Sequence, residues 1–391
     1  MISDLSDDEA RRALVLKWGA VEHDVIPAWV AEMDYALAPP VRDALAEAVE
    51  RGVTGYPALD GSDGLADALA GFAKRHWNWA VDPGRVRPVS DVTAGIRVAL
   101  EVLSESAPMV LPLPAYPPQL SVAEITGRRR VDLVLDPDSR EATIDLDRLD
   151  SLLRTGARTL LLTQPHNPWG RVFTRSELEG IRDVVVRHGA RVISDEIHAP
   201  LVLPGSDHVP YLSLEGTSGH AVAVVAASKA FNTAGLRCAQ IVSGDDETAR
   251  RIRDVPDPLN DSWSPLGVVA GVAAYVEGDA WLAALVSRLA DQRALLQELL
   301  AAHLPEVRMR PLEATYLAWL DVRAYGHADP AAVALERGRV RLEPGQRFDP
   351  DLDGHARLNV ATSPERLREV VRRLAAAWTQ PADESRRPAE S

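Results

Sequence analysis

Three short apolar runs, each closing on a polar loop, constrain this chain more than any other feature. They are Thr159-Leu160-Leu161-Leu162-Thr163-Gln164, Arg191-Val192-Ile193-Ser194 and Ala221-Val222-Ala223-Val224-Val225-Ala226-Ala227. Their apolar residues are consecutive rather than alternating, which predicts strands buried on both faces in a helix-covered parallel sheet. Open α/β sheets take their ligands beyond the carboxyl ends of such strands. The loops that follow are therefore where chemistry is expected. They read Pro165-His166-Asn167-Pro168-Trp169-Gly170, Asp195-Glu196-Ile197-His198 and Ser228-Lys229-Ala230-Phe231-Asn232-Thr233-Ala234-Gly235-Leu236.

A lysine just past a buried strand is costly to desolvate unless it has a task. Desolvation lowers an amine's pKa, the usual route to a covalent or general-base lysine. Taken singly, each residue has a plain reading: Lys229 as a surface lysine, Asp195 as a helix N-cap, Asn167 as part of an Asn-Pro turn. Taken as an ordered set at successive strand ends, an amide, an acid and a lysine fit one cofactor, pyridoxal 5′-phosphate (PLP). Lys229 would hold it covalently, Asp195 would pair with the protonated pyridine nitrogen, and Asn167 would donate to the ring's phenolate oxygen.

More motifs extend the set. They are Lys17-Trp18, Ile26-Pro27-Ala28-Trp29-Val30-Ala31-Glu32-Met33-Asp34-Tyr35, Gly55-Tyr56-Pro57, Pro114-Ala115-Tyr116-Pro117-Pro118, Glu313-Ala314-Thr315-Tyr316-Leu317-Ala318-Trp319-Leu320-Asp321 and Arg357-Leu358-Asn359-Val360-Ala361. With these the chain resembles the fold-type I PLP enzymes of the aminotransferase class I/II superfamily. Within it, the chain most resembles the cystathionine β-lyase or cysteine-S-conjugate β-lyase (MalY/PatB-like) group. The resemblance implies an α/β fold, with a large domain built on a mostly parallel seven-stranded sheet and a smaller α/β C-terminal domain. Residues 1–45 are then expected to join the small domain, 46–279 to form the PLP-binding domain and 280–379 the small domain. The polar end, 380–391, is expected to be a disordered tail.

The implied activity is cleavage of cystathionine or a related S-substituted cysteine to a thiol, pyruvate and ammonia. A class I/II aminotransferase would use the same residues, and a PLP-binding regulatory protein is a second alternative. The matching motifs start near residue 17, which leaves little room for an N-terminal DNA-binding module.

Residue by residue, the resemblance places Tyr116 against a face of the cofactor ring. It places the phosphate at the helix opening Ser90-Asp91-Val92-Thr93-Ala94-Gly95, on the Val92 backbone and the Thr93 hydroxyl, with Ser228 and Arg237 completing the contacts. It places Arg357 on the substrate α-carboxylate and sends Tyr56 to a neighbouring subunit's phosphate. The last point implies a homodimer with a shared active site. Trp29, Tyr35 and Tyr316 either line the substrate pocket or belong to the core, and His198 either lies beside the cofactor or does not. The chain departs from the group's pattern in three places. Asp91 stands where relatives carry glycine, Thr163-Gln164 replaces Cys-Asn, and Ala230 and Thr233 replace threonine and isoleucine.

Charge and cysteine content narrow the partners. With 43 basic and 57 acidic residues the net charge is −14, which argues against nucleic acid and anionic membrane surfaces. One cysteine, Cys238, excludes an intrachain disulfide and suits a reducing cytoplasm. It is expected to be buried and inert. No signal peptide or membrane-spanning run is evident, and His166 and His198 lack companions at metal-ligand spacing. Helices are expected over 41–49, from the capping box Thr174-Arg175-Ser176-Glu177 to His188, over 280–303 and over 364–378, with a strand over 315–321.

Overall fold

A computed structural model describes residues 2–58, 62–103, 106–136, 143–260 and 262–380. The expected tail from 381 onward lies outside the described residues. The chain divides into two compact units. One is built on Ala36–Arg288 with Glu313–Thr315, the other on Ser3–Tyr35, Leu289–Leu312 and the chain from Tyr316 onward. These bounds fall earlier in the N-terminal segment, and later in the long helix Asp279–His303, than the sequence suggested.

Among the described residues of the first unit, seven strands form one sheet. They are β1 (Val86–Val89), β2 (Met109–Leu113), β3 (Arg130–Val134), β4 (Thr159–Thr163), β5 (Arg191–Asp195), β6 (Ala221–Val225) and β7 (Ala239–Ser243). Their order is β1-β7-β6-β5-β4-β2-β3. Only β7 runs antiparallel to its neighbours, so the mostly parallel sheet implied by the resemblance is present. Strands β2, β4, β6 and β7 are buried along their whole length, which is why their apolar residues do not alternate. The edge strand β3 is the most exposed of the seven. It exposes Val134 and carries an ion pair between Arg130 and Asp132 at 2.7 Å, a charge that discourages pairing with another sheet edge.

Helix α1 (Val92–Leu103) follows β1 and lies close against the sheet at Gly95. A Cβ there would stand 2.7 Å from Val224 Cγ1 and 3.2 Å from Val89 Cγ2, so only glycine lets the first turn approach. Helix α2 (Pro117–Ile125) follows β2, and helix α3 (Arg175–Arg187) opens on the expected capping box of Thr174 and Glu177. The strand expected over 221–227 stops at Val225. The helix expected from Val41 begins earlier, at Pro39, because prolines fit a first turn whose N–H groups need no intrahelical partner. The strand expected from Thr315 begins at Leu317. Thr315 has φ +71°, a left-handed conformation that no strand continues.

The second unit holds a four-stranded antiparallel sheet ordered Glu343–Pro344, His355–Asn359, Leu317–Asp321, Arg308–Met309. Helix Pro364–Trp378 is capped by Ser363. A buried ionic cluster ties in its N-terminal segment. Lys17 Nζ lies 2.8 Å from Asp34 Oδ1, Trp18 Nε1 donates to the same oxygen at 2.7 Å, and Arg366 Nη1 reaches Asp34 Oδ2 at 3.3 Å. Lys17 and Asp34 are fully buried.

Candidate active site

Strand register brings the three loops to the carboxyl end of the sheet. Thr163 pairs with Asp195 and Asp195 with Val224, so β4, β5 and β6 end abreast. Asn167, Asp195 and Lys229 follow from those ends.

Asp195 is the last residue of β5 and is buried. Its Oδ2 accepts from Gln119 Nε2 at 2.8 Å and its Oδ1 from the Ile197 N–H at 3.2 Å. Burial pushes its pKa up to about 7, and the neighbouring Glu196 pushes the same way. The Ile197 N–H, the Gln119 amide and the Lys229 charge oppose the rise. A buried carboxylate gains most from a cationic hydrogen-bond donor. A protonated pyridine nitrogen is such a group, so this part of the site fits PLP. Glu196 is itself held by His208, Ser194 and the Tyr211 N–H, at 3.0, 2.8 and 2.9 Å.

Lys229 is half-buried in the turn after β6. Phe231 N–H to Ala227 at 2.9 Å and Thr233 N–H to Ser228 at 2.9 Å close that turn, and Phe231 stacks on Trp281 at 5.4 Å. Ser228 is half-buried beside it. Asn167 is buried in a loop fixed by His166 N–H to Arg171 and Gly170 N–H to His166, both at 2.7 Å. His198 is buried at the start of the short turn Ala199–Leu201.

Tyr116 stands at the N-cap position of α2 and is half-buried. Three residues on, Gln119 is buried, and its Oε1 accepts from the Thr163 hydroxyl at 3.1 Å. Sequence reasoning missed Gln119. Its one local signal was an uncharged polar side chain after Pro117-Pro118, at the start of a helix next to a candidate site.

At the opening of α1, Asp91 acts as the cap, accepting from the Ala94 N–H at 2.7 Å. Its other oxygen lies 2.6 Å from Arg237. Arg237 is thus at the expected helix end, but its guanidinium engages a carboxylate there. It also adopts a left-handed φ of +51°. Val92 and Thr93 form the first turn, where N–H groups have no intrahelical acceptor. Tyr56 is 98% exposed and borders an open apolar groove with Val53, Pro57, Val268 and Val272. Cys238 is half-buried, and burial pushes its thiol up to about 12.

In the second unit, Arg357 is buried in the strand His355–Asn359, donates to the Trp29 carbonyl at 3.1 Å and lies 4.7 Å over the Phe348 ring. Trp29 Nε1 donates to the Lys17 carbonyl, and Arg341 stacks over its ring at 3.8 Å. The hydroxyls of Tyr35 and Tyr316 donate to the carbonyls of Thr362 and Ala31 at 2.9 and 3.0 Å. Arg357 and these three aromatics therefore brace the segment 29–35.

The profile of the aminotransferase class I and II family matches residues 22–374. The chain belongs to that family. It is 36% identical to a cystathionine β-lyase of Corynebacterium glutamicum, over 94% of this chain and 98% of that one. It is 32% identical to the cystathionine β-lyase PatB of Bacillus subtilis, over 90% and 92%. Among solved structures, cystalysin of Treponema denticola, which contains PLP, superposes with a TM-score of 0.89 at 25% identity, covering 96% of this chain and 99% of that one. Among the described residues of this class I and II family member, no single helix is long and apolar enough to cross a membrane.

Proposed function

We propose that this chain is a PLP-dependent carbon–sulfur β-lyase, cleaving cystathionine or a related S-substituted cysteine to a thiol, pyruvate and ammonia. The observation that carries the proposal is Asp195, a buried carboxylate at the end of β5, beside the parallel strand β6 whose following turn carries Lys229. When bound, PLP supplies the electron sink for the pair left on the substrate Cα. Lys229 would hold the cofactor, yield to the substrate amine and then take the Cα proton. Asp195 would keep the proton on the ring nitrogen, Asn167 would serve the phenolate oxygen, and Tyr116 and His198 would hold the ring. Val92, Thr93, Ser228 and Arg237 would receive the phosphate. Arg357 takes the α-carboxylate through its two-pronged fork, with Trp29, Tyr35 and Tyr316 around it. Once the Cα proton is gone, the thiolate departs from Cβ, and the released aminoacrylate hydrolyses to pyruvate and ammonia.

A homodimer belongs to the same proposal, with Tyr56 of each subunit reaching the other's phosphate. Its exposed ring beside an apolar groove supports that reading. A cytoplasmic setting is supported by the lone cysteine and the acidic balance.

The test is incubation with cystathionine and no added keto acid. Thiol and pyruvate in equal amounts, with PLP fixed to Lys229 by borohydride, support the lyase. Conversion of the cofactor to its amine form without thiol release supports the aminotransferase instead. Lys229→Ala should lower turnover by about 10³-fold or more.

A further inference from the structure

The departure Thr163, left unexplained by the resemblance, has a partner in the structure. Its hydroxyl meets Gln119 Oε1 at 3.1 Å, and Gln119 Nε2 meets Asp195 Oδ2 at 2.8 Å. All three side chains are buried, with Gln119 1% exposed. Hydrogen-bond chemistry sets the direction of this chain. An ionised carboxylate only accepts, so Gln119 must present its NH₂ to Asp195 and its carbonyl to a donor. The Thr163 hydroxyl is that donor, and a cysteine there would offer only a weak one.

We propose that Gln119, oriented by Thr163, is a positioning residue that keeps Asp195 ionised and aimed as the acceptor for the cofactor's ring-nitrogen proton. The inference rests on the PLP-lyase reading and deepens it. Each Asp195 oxygen has one protein donor, Gln119 or the Ile197 N–H, and each carboxylate oxygen has two lone pairs. A second acceptor site is thus left for the ring. The charged groups bearing on Asp195 are Glu196, which disfavours its anion, and Lys229, which favours it. Glu196 in turn is held by His208. Against burial and Glu196, a fixed neutral donor favours the anion without adding a charge that would compete with the ring.

The test uses the holoenzyme loaded with isotopically labelled PLP, reading the NMR resonance of the ring nitrogen against pH. In the wild type the resonance should stay at its protonated position across the stable pH range. Gln119→Leu removes the donor, Asp195 becomes a stronger base, and the proton moves from the ring toward the carboxylate. The resonance should then shift toward the neutral position, with kcat down about tenfold and KM within about threefold. Thr163→Val, which keeps the amide but frees its orientation, should shift the resonance the same way by less, and Thr163→Ser should restore it. Should Gln119→Leu fail to fold, the Val and Ser pair at 163 decides alone. An unchanged resonance in the variants overturns the role of Gln119 while leaving the lyase reading intact. A wild type that takes up no PLP at Lys229 overturns both.

Discussion

Asp91 caps helix α1 through one carboxylate oxygen and holds the Arg237 guanidinium with the other, at 2.6 Å. A carboxylate therefore occupies the helix end at which the phosphate is proposed to bind, and it engages a cation proposed for that phosphate. Like charges there oppose each other. Asp91→Gly is expected to tighten PLP binding roughly three- to tenfold, because exposed charge pairs are partly screened. Glycine is a tolerable N-cap, so the apo protein should lose only a few tenths of a kcal/mol. Fluorescence titration and thermal melts measure the two. Weaker binding in the variant would mean that Asp91 positions Arg237 for the phosphate rather than competing with it.

The pKa of Asp195 makes the apo protein's stability depend on pH. Unfolded, an aspartate titrates near 4, whereas burial holds Asp195 near 7 in the fold. Between these values the folded state binds the extra proton, so stability falls as pH rises through that window. A shift of this size corresponds to about 4 kcal/mol at most. Asp195→Asn should therefore stabilise the apo protein at pH 8 and lose that advantage toward pH 4. Denaturant melts across the range would show it, and parallel curves for variant and wild type would refute it.

Lys17 is buried against Asp34 in the second unit. Burial lowers its pKa, and the Asp34 charge and hydrogen bond counteract that. Lys17→Met leaves Asp34 with Arg366 and Trp18. Removing one member of a buried ion cluster should still cost about 3 kcal/mol. Urea unfolding of the variant measures it, and a change below 1 kcal/mol would show that Arg366 alone suffices.

Arg357→Lys keeps the positive charge but loses the planar fork and the stacking on Phe348. For the lyase reaction, kcat/KM should fall about a hundredfold, in line with the loss of a charged hydrogen bond, while PLP affinity stays the same. Steady-state kinetics and a cofactor titration separate the two. Equal losses in both would place Arg357 in the architecture rather than on the substrate.

Much of the fold was legible because its signals are local. The runs at 159–164, 191–194 and 221–227 became β4, β5 and β6, and the capping box at Thr174 opened α3. The proposed site was read as residue types at strand ends: Asn167, Asp195 and Lys229 each follow a buried run. Where local reading fell short, a backbone angle or a neighbour intervened: Thr315 at φ +71° delays its strand, and Arg237, proposed for the phosphate, also pairs with Asp91.

The amino-acid order by itself determined which segments are buried strands, where helices start and which polar residues leave the strand ends, because periodicity and capping act over a few positions. Only the tertiary structure decided which polar atoms meet. Gln119 reaches Asp195 across 76 positions, and Arg366 reaches Asp34 across 332. Such pairings depend on strand register and helix packing, where displacement by one residue turns a side chain to the opposite face, and no short stretch of sequence encodes that.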